Sequence, residues 1–142
     1  MMLRLVLDTD VVIAGLRSQN GASAALLKAG RYGKIRLLAS TAMMLEYEAK
    51  CVMDEHRTAA GLTKAEVNIF LNTLAAFLEP IEPYFLWRPH LIDPDDEMVL
   101  ETGVNGQADA IVTFNKKHYK NVHKQFGIDV LNPSEAIRRL RQ

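Results

Sequence analysis

Acidic and polar side chains fall in this sequence where predicted strands end and helices begin. The set consists of Asp8, Asp10, Ser40, Glu46, Asp96 and Asn115. In an open parallel sheet the carboxyl ends of the strands share one edge, and ligands bind in the crevice beyond it. Carboxylates gathered there repel and raise one another's pKa unless a cation neutralises them. Because Mg²⁺ and Mn²⁺ prefer oxygen ligands, these residue types point to metal-assisted phosphoryl transfer if the fold brings them together.

Each of these residues also has an ordinary structural explanation. An aspartate after a strand is often only a turn former, and Asp95 and Asp96 could simply complement a helix dipole. Glu46 could be a solvated charge, although its neighbours at 43–45 are more apolar than a solvent face usually is. The single cysteine, Cys51, is interpreted as a small buried hydrophobe. The four histidines lack the spacing of a zinc motif.

Strands alternate with helices along the chain. Strands are predicted at Leu3–Leu7, Ile35–Ala39, Ala110–Thr113 and Ile128–Leu131, with a short extended segment at Ile81–Trp87. Helices are predicted at Ala22–Ala29, Thr41–Glu55, from Thr63 to Leu78, from Asp93 to Gly103, and after Asn132. This alternation predicts an α/β fold, a three-layer α/β/α sandwich with a mainly parallel central sheet. Without an internal repeat or a linker, residues 1–142 are expected to form a single domain.

The charges balance overall but are unevenly distributed. The 142 residues carry 17 basic and 17 acidic side chains, yet residues 41–101 carry four basic and twelve acidic ones. A net charge of zero gives no whole-molecule attraction to nucleic acid, although a local basic rim remains possible. No apolar run approaches the roughly 18 residues that cross a bilayer, and a lone cysteine fits a reducing compartment. We therefore expect a cytoplasmic protein with no membrane partner.

The order and spacing of several segments resemble those of PIN-domain proteins, in the branch described as toxin components of toxin–antitoxin pairs. The matching segments are Leu5–Val12 (LVLDTDVV), Leu38–Tyr47 (LASTAMMLEY), Ile92–Glu101 (IDPDDEMVLE), Gln107–Asn115 (QADAIVTFN) and Ile128–Glu135 (IDVLNPSE). Together they span nearly the whole chain in the expected order. No one of these segments is decisive, so the resemblance rests on their arrangement.

The resemblance implies a ribonuclease that depends on Mg²⁺ or Mn²⁺. Asp8, Glu46 and Asp96 match the family's catalytic acids, whose implied role is to bind the metal and, through it, to activate the attacking water. The other matched positions are Ser40 and Thr113, as supporting hydroxyls, and Asp109, as a ligand or a neighbour of one. The resemblance also implies a homodimer and a small antitoxin partner whose tail blocks the acidic pocket.

Two positions depart from the family's usual pattern. The family usually has asparagine two residues after the first acid, where this chain has Asp10. A fourth acidic position is often aspartate, and here it is Asn115, which can offer a metal only an uncharged carbonyl oxygen. Asp10 would compensate in part for that lost charge. A weakened metal site, or a catalytically silent binding partner on the same fold, therefore stays open.

A phosphatase of the haloacid-dehalogenase type is the main alternative. The run Asp8-Thr-Asp10-Val-Val12 satisfies its opening pattern, in which the first aspartate is the nucleophile and the second the general acid. Ser40 also resembles its second motif. The sequence lacks a convincing lysine before a late Asp-Asp strand end, and Glu46 has no role in that scheme. The nuclease is therefore the favoured interpretation.

A basic segment follows the predicted strand that leads to Asn115. Lys116, Lys117 and Lys120 are predicted to contact RNA phosphates, and Tyr119 to offer a ring on which a base could stack. A lysine-rich solvated helix is the competing explanation. An apolar helix face at residues 70–78, followed by Phe85–Trp87, could serve a dimer interface, but core packing explains most of it.

Overall fold

The computed structural model describes residues 2–84 and 93–142. Five strands form one parallel sheet in the order β3-β2-β1-β4-β5. They are β1 (Arg4–Leu7), β2 (Arg36–Ala39), β3 (Glu79–Pro80), β4 (Ala110–Val112) and β5 (Asp129–Leu131). The helices are α1 (Thr9–Arg17), α2 (Ala22–Arg31), α3 (Thr41–Cys51), α4 (Asp54–Ala60), α5 (Lys64–Phe77), α6 (Pro94–Asn105), α7 (Val122–Phe126) and α8 (Pro133–Leu140), with a 3₁₀ helix at Lys116–Tyr119. The predicted α/β class with helices flanking a parallel sheet is confirmed.

The central strand β1 explains why the sheet forms where it does. Leu5, Val6 and Leu7 are each 2% exposed or less, as expected for a parallel strand covered on both faces. Leu5 pairs with Leu37 of β2 on one side and with Ala110 of β4 on the other. All five strands run in the same direction, so the residues that follow β1, β4 and β5 share one edge of the sheet. We call it the carboxyl edge.

Side-chain caps fix the starts of the helices. The Ser40 hydroxyl accepts a hydrogen bond from Met43 N at 3.2 Å and begins α3. Reciprocal capping boxes begin α5, from Thr63 to Glu66, and α8, from Asn132 to Glu135. The Asp93 carboxylate accepts from Asp95 N at 2.9 Å and begins α6, with Pro94 in the first turn. These predicted helix starts are confirmed.

Three elements differ from the sequence-based expectation. Helix α1 was not predicted, because its polar start at Asp8–Asp10 was interpreted as the end of a strand; Val11 and Val12 then bury completely. The helix expected at 41–55 ends at Cys51 and a second helix begins at Asp54. The extended segment expected at Ile81–Trp87 pairs earlier, at Glu79–Pro80. Residues 85–92, including Phe85–Trp87, lie outside the described residues.

The apolar face of α5 belongs largely to the core. Leu71 and Leu74 are buried, while Phe70, Phe77 and Leu78 are partly buried against the same cluster. Core packing thus accounts for this face, as the sequence suggested. Within residues 2–84 and 93–142, no helix combines the length and the apolar character needed to cross a membrane.

Candidate functional site

The two carboxylate oxygens of Asp8 have different roles: one caps a helix and the other accepts hydrogen bonds from side chains at the carboxyl edge. Oδ1 accepts a hydrogen bond from Thr9 N at 2.8 Å and caps α1. Oδ2 accepts from the Thr113 hydroxyl at 2.8 Å and from the Tyr119 hydroxyl at 3.2 Å. Thr113 is fully buried at the end of β4, and its hydroxyl also accepts from Asn115 N at 3.0 Å. Asp8 is therefore held in one orientation by three donors from two segments.

A single buried hydroxyl joins Asp8 to Asp96. Tyr119 Oη lies 3.2 Å from Asp8 Oδ2 and 3.1 Å from Asp96 Oδ1. A phenol carries one proton, so at any moment it donates to only one of these carboxylates. Burial, followed by the charges of Asp8 and Asp96, raises the pKa of Tyr119, which therefore stays a neutral donor at physiological pH. Two of the three predicted catalytic acids thus converge on one atom.

The predicted stacking role of Tyr119 is wrong. Its side chain is 2% exposed, because the 3₁₀ helix Lys116–Tyr119 turns this residue inward while its three preceding residues stay exposed. A base in solution therefore has no access to the ring face. The sequence gave no indication that Tyr119 contacts two acids, since it shows only a tyrosine within a basic segment.

Asp96 lies in the first turn of α6 and is 7% exposed. Burial, followed by the charge of Asp8, raises the pKa of this carboxyl, and the hydrogen bond from Tyr119 opposes that shift. His118 Nδ1 lies 3.2 Å from Asp96 Oδ2. The sequence gave no indication that His118 approaches this acid. Asp96 is therefore a buried, partly compensated carboxyl directly beside Asp8.

Asp10 and Asn115, the two departures from the family pattern, are hydrogen-bonded to each other. Asp10 Oδ2 accepts from Asn115 Nδ2 at 3.0 Å and from Phe114 N at 3.3 Å. Asp10 Oδ1 is buried and has no hydrogen-bond partner among the described residues. Burial, followed by the charge of Asp8, raises the pKa of Asp10 to about 6. Asp10 therefore faces the same acidic cluster.

Glu46 pairs along its own helix and does not share the Tyr119 hydroxyl that joins Asp8 and Asp96. It lies on α3, which packs against both α1 and α6, and its carboxylate is 3.9 Å from Lys50 Nζ. Its side chain is 22% exposed. Ser40 is buried and serves as the cap of α3. The structure thus joins Asp8 and Asp96 through Tyr119 but leaves Glu46 paired along its own helix.

Asp109 lies at the opposite edge of the sheet. It precedes Ala110, which pairs with Leu5 at the amino-terminal side of β1 and β4. Its carboxylate accepts a hydrogen bond from Arg4 N at 2.8 Å. The length of β4 therefore separates Asp109 from Asp8, and the expectation that Asp109 ligates or adjoins the same metal is corrected. Its position before the strand, and not after it, was the signal in the sequence.

The lysines of the basic segment differ in how freely they can meet a ligand. Lys116 Nζ lies 2.9 Å from Glu135 Oε1 at the start of α8, so part of its charge is neutralised. Lys117 and Lys120 are exposed. These two ammonium groups are the ones best able to meet an anionic ligand.

The donor set suits a hard divalent cation, although the ligands are not fully assembled. Asp8, Asp10 and Asp96 offer only carboxylate oxygens, and one buried oxygen of Asp10 has no donor among the described residues. Within the part of the chain that the structure describes, no three His, Cys, Asp or Glu side chains are already grouped to hold a metal ion. The residues present therefore fit Mg²⁺ or Mn²⁺ by chemistry and burial, with Glu46 outside the cluster.

Comparison with known proteins identifies the family. The PIN domain family matches residues 4–117, which include Asp8, Asp10, Glu46, Asp96 and Asn115. The chain belongs to the PIN domain family. Among solved structures, the PIN fold here is similar to VapBC2 from Rickettsia felis bound to a DNA fragment from their promoter. That match has 14% sequence identity and a TM-score of 0.59, and covers 92% of this chain and 98% of the other. No curated protein matches this chain.

Proposed function

We propose that this protein is an endoribonuclease dependent on Mg²⁺ or Mn²⁺, and the toxin component of a toxin–antitoxin pair. The observation that carries the proposal is the convergence of Asp8 and Asp96 on one buried hydroxyl, at the edge of the sheet where ligands of α/β proteins bind. Membership of the PIN domain family supports a nuclease over the haloacid-dehalogenase-type phosphatase.

The proposed metal ligands are Asp8 and Asp96, with Glu46 as the third acid. When bound, the metal would lower the pKa of a water molecule and hold phosphate oxygens. The protein contributes orientation: Thr113 and the α1 backbone fix Asp8, and Tyr119 holds Asp8 and Asp96 at one hydroxyl. Glu46 would have to leave Lys50, from which it is 3.9 Å away, to join them. This pairing is long and partly exposed, so breaking it costs little.

The substrate proposal rests on charge around the acidic site. A polyanion approaching carboxylates needs nearby cations, and the exposed Lys117 and Lys120 supply them, with Lys116 partly neutralised by Glu135. Binding of RNA to these groups should weaken steeply as salt concentration rises. RNA binding that is independent of salt would remove these lysines from the proposal.

The partner proposals follow from the family resemblance and from the neighbouring structure, a VapBC2 complex. We propose a small cognate antitoxin, a homodimer and a cytoplasmic location. Light scattering tests the dimer directly, because a stable monomer would give the chain mass of 15.9 kDa. Co-purification of a small protein that inhibits cleavage tests the antitoxin.

Cleavage of labelled single-stranded RNA tests the proposed activity. The wild-type protein is compared with Asp8→Asn in Mn²⁺, in Mg²⁺ and in EDTA. Asp54→Asn is the matched control, because it makes the same change of charge at a carboxylate that is 82% exposed on α4. We expect metal-dependent cleavage by the wild type and the control and none by Asp8→Asn. A folded wild-type protein that cleaves no RNA in either metal would point to the silent binding partner.

Glu46→Gln separates the nuclease from the phosphatase. A nuclease that uses Glu46 as its third acid loses most of its activity in this variant. A phosphatase that uses Asp8 as nucleophile and Asp10 as general acid keeps its activity, because Glu46 has no role in that mechanism. Hydrolysis of a small phosphomonoester by Glu46→Gln, without RNA cleavage by the wild type, would therefore overturn the proposal.

A further inference from the structure

Asp10 and Asn115 stand at the two positions where this chain departs from the family's usual residues, and they are in direct contact. The usual pattern has an amide at the first position and often an acid at the second; this chain has the acid first and the amide second. The two side chains meet through a hydrogen bond from Asn115 Nδ2 to Asp10 Oδ2 at 3.0 Å. The pair therefore still contains one acid and one amide joined by a hydrogen bond. Compared with the usual family pattern, the acid is at position 10 and not at position 115.

The surroundings of Asp10 indicate which of its oxygens is held and which is available. Oδ2 accepts from Asn115 Nδ2 and from Phe114 N, so the segment after β4 fixes this oxygen. Oδ1 is buried and without a donor among the residues that the structure describes. A buried carboxylate oxygen without a partner is costly to maintain, and a bound cation removes that cost.

We propose that Asp10 supplies the fourth carboxylate of the metal site through Oδ1, and that Asn115 is a positioning residue that orients Asp10 through Oδ2. The inference rests on the proposed metal-dependent function, whose third acid is Glu46, and assigns roles that the family pattern would give to the opposite partners. It predicts that the exchange is reversible: moving the acid to position 115 and the amide to position 10 keeps the pair intact.

Mn²⁺ binding measures the pair without relying on cleavage. Titration calorimetry and the electron paramagnetic resonance of free Mn²⁺ are used on the wild type, Asp10→Asn, Asn115→Ala and the double exchange Asp10→Asn with Asn115→Asp. Asp10→Asn should weaken Mn²⁺ binding by at least about 10- to 100-fold. That is the range for losing a residue that hydrogen-bonds to a metal ligand, and losing a ligand itself should cost no less. Asn115→Ala should weaken it less, and the double exchange should restore affinity to within about threefold of wild type, since the same oxygen and amide are present.

The controls make each result informative. Asp54→Asn removes one exposed carboxylate and should leave Mn²⁺ affinity unchanged, which excludes a net-charge effect. Asp10→Asn preserves the side-chain shape, so this variant alone tests the ligand role if the double exchange does not fold. Unchanged affinity in Asp10→Asn, or a folded double exchange as weak as Asp10→Asn, would overturn the inference, as would a wild type that binds no Mn²⁺.

The outcome is distinguishable from failure of the proposed function. If Mn²⁺ affinity follows the expected pattern but no variant cleaves RNA, the pair stands and the ribonuclease does not. If the wild type cleaves RNA and Asp10→Asn binds Mn²⁺ as well as the wild type, the ribonuclease stands and the pair does not.

Discussion

Replacing Tyr119 by phenylalanine tests the central contact of the site. The ring is 2% exposed, so phenylalanine keeps the packing and removes only the hydroxyl oxygen. That oxygen lies 3.2 Å from Asp8 Oδ2 and 3.1 Å from Asp96 Oδ1. Asp8 Oδ2 retains Thr113 as a donor at 2.8 Å, and Asp96 Oδ2 retains His118 at 3.2 Å. The variant therefore loses one hydrogen bond to a charged group, and neither carboxylate is left without a partner.

The expected loss depends on pH. A hydrogen bond to a charged group contributes about 1.5–3 kcal/mol and a neutral one about 0.5–1.5 kcal/mol. Burial, followed by the charge of Asp8, raises the pKa of Asp96, so this carboxyl takes up a proton at a higher pH than an unperturbed aspartate does. The Tyr119 hydrogen bond lowers that pKa, so removing it favours the protonated form further. We expect Tyr119→Phe to lower the free energy of unfolding by about 2 kcal/mol at pH 7.5 and by about 1 kcal/mol at pH 4.

Urea denaturation in EDTA at both pH values measures this difference. Tyr47→Phe is the matched control, because Tyr47 is 1% exposed and its hydroxyl donates to the backbone carbonyl of Leu7 at 2.5 Å. That acceptor does not titrate, so Tyr47→Phe should cost about 1 kcal/mol at either pH. If Tyr119→Phe loses the same amount at pH 4 as at pH 7.5, the hydroxyl does not donate to Asp96, the carboxyl whose pKa is raised. A loss of less than about 0.5 kcal/mol at pH 7.5 would show that it donates to neither ionised carboxylate. Either result would refute the expected pH dependence.

Three further outcomes are expected. Burial raises the pKa of Asp10 to about 6, so the stabilisation from its bound proton is present below the pKa of the unfolded chain and is lost as the pH rises through about 6. In EDTA, the free energy of unfolding of Asp10→Asn should therefore gain about 1–2 kcal/mol over that of the wild type between pH 4 and 7, after allowance for solvent screening. A difference that stays constant with pH would contradict this. A Cβ at Gly106 would lie 2.9 Å from both Leu38 Cδ1 and Thr102 O, so Gly106→Ala should cost about 1–3 kcal/mol in urea denaturation, and a variant as stable as wild type would refute the close packing. Cys51 is fully buried, and burial raises the pKa of its thiol to about 11, so a thiol reagent should label it only as fast as the protein unfolds; rapid labelling in native conditions would show that the site is accessible.

Most of the fold was predictable because its signals are local. Capping residues such as Thr63 and Asn132 indicate helix starts because their side chains hydrogen-bond to the backbone three residues later. Short apolar runs indicate buried strands. Helix α1 was missed because Asp8 is both the first residue after β1 and the cap of the next helix. The split at residues 52–53 was missed because neither Val52 nor Met53 breaks a helix by residue type. Pairing of β3 depends on the neighbouring strand and has no signal in its own two residues.

The residues of the site could be predicted only where they stand next to the end of a strand or the start of a helix. Asp8 and Asp96 were found from their positions near strand and helix ends. Asp109 was misplaced because it was assigned from the family resemblance, although it precedes β4 and therefore lies at the amino-terminal end of that strand. Tyr119 could not be identified, since its role depends on a 3₁₀ helix that turns it inward. The contact between Asp10 and Asn115 spans 105 positions in sequence, and no local pattern reports such a pairing.

The direction in which the helices leave the sheet has an electrostatic consequence. Helices α1, α3 and α8 each begin within two residues of a strand's end, and α6 begins at Pro94, two residues before Asp96. Four amino-terminal helix ends, each carrying partial positive charge, therefore surround the acidic residues. Their electric field comes from the backbone and offsets part of the repulsion among the acids. Changing a single acid to its amide leaves this field in place, so this offset of the repulsion is a property of the topology and outlasts the loss of any one side chain.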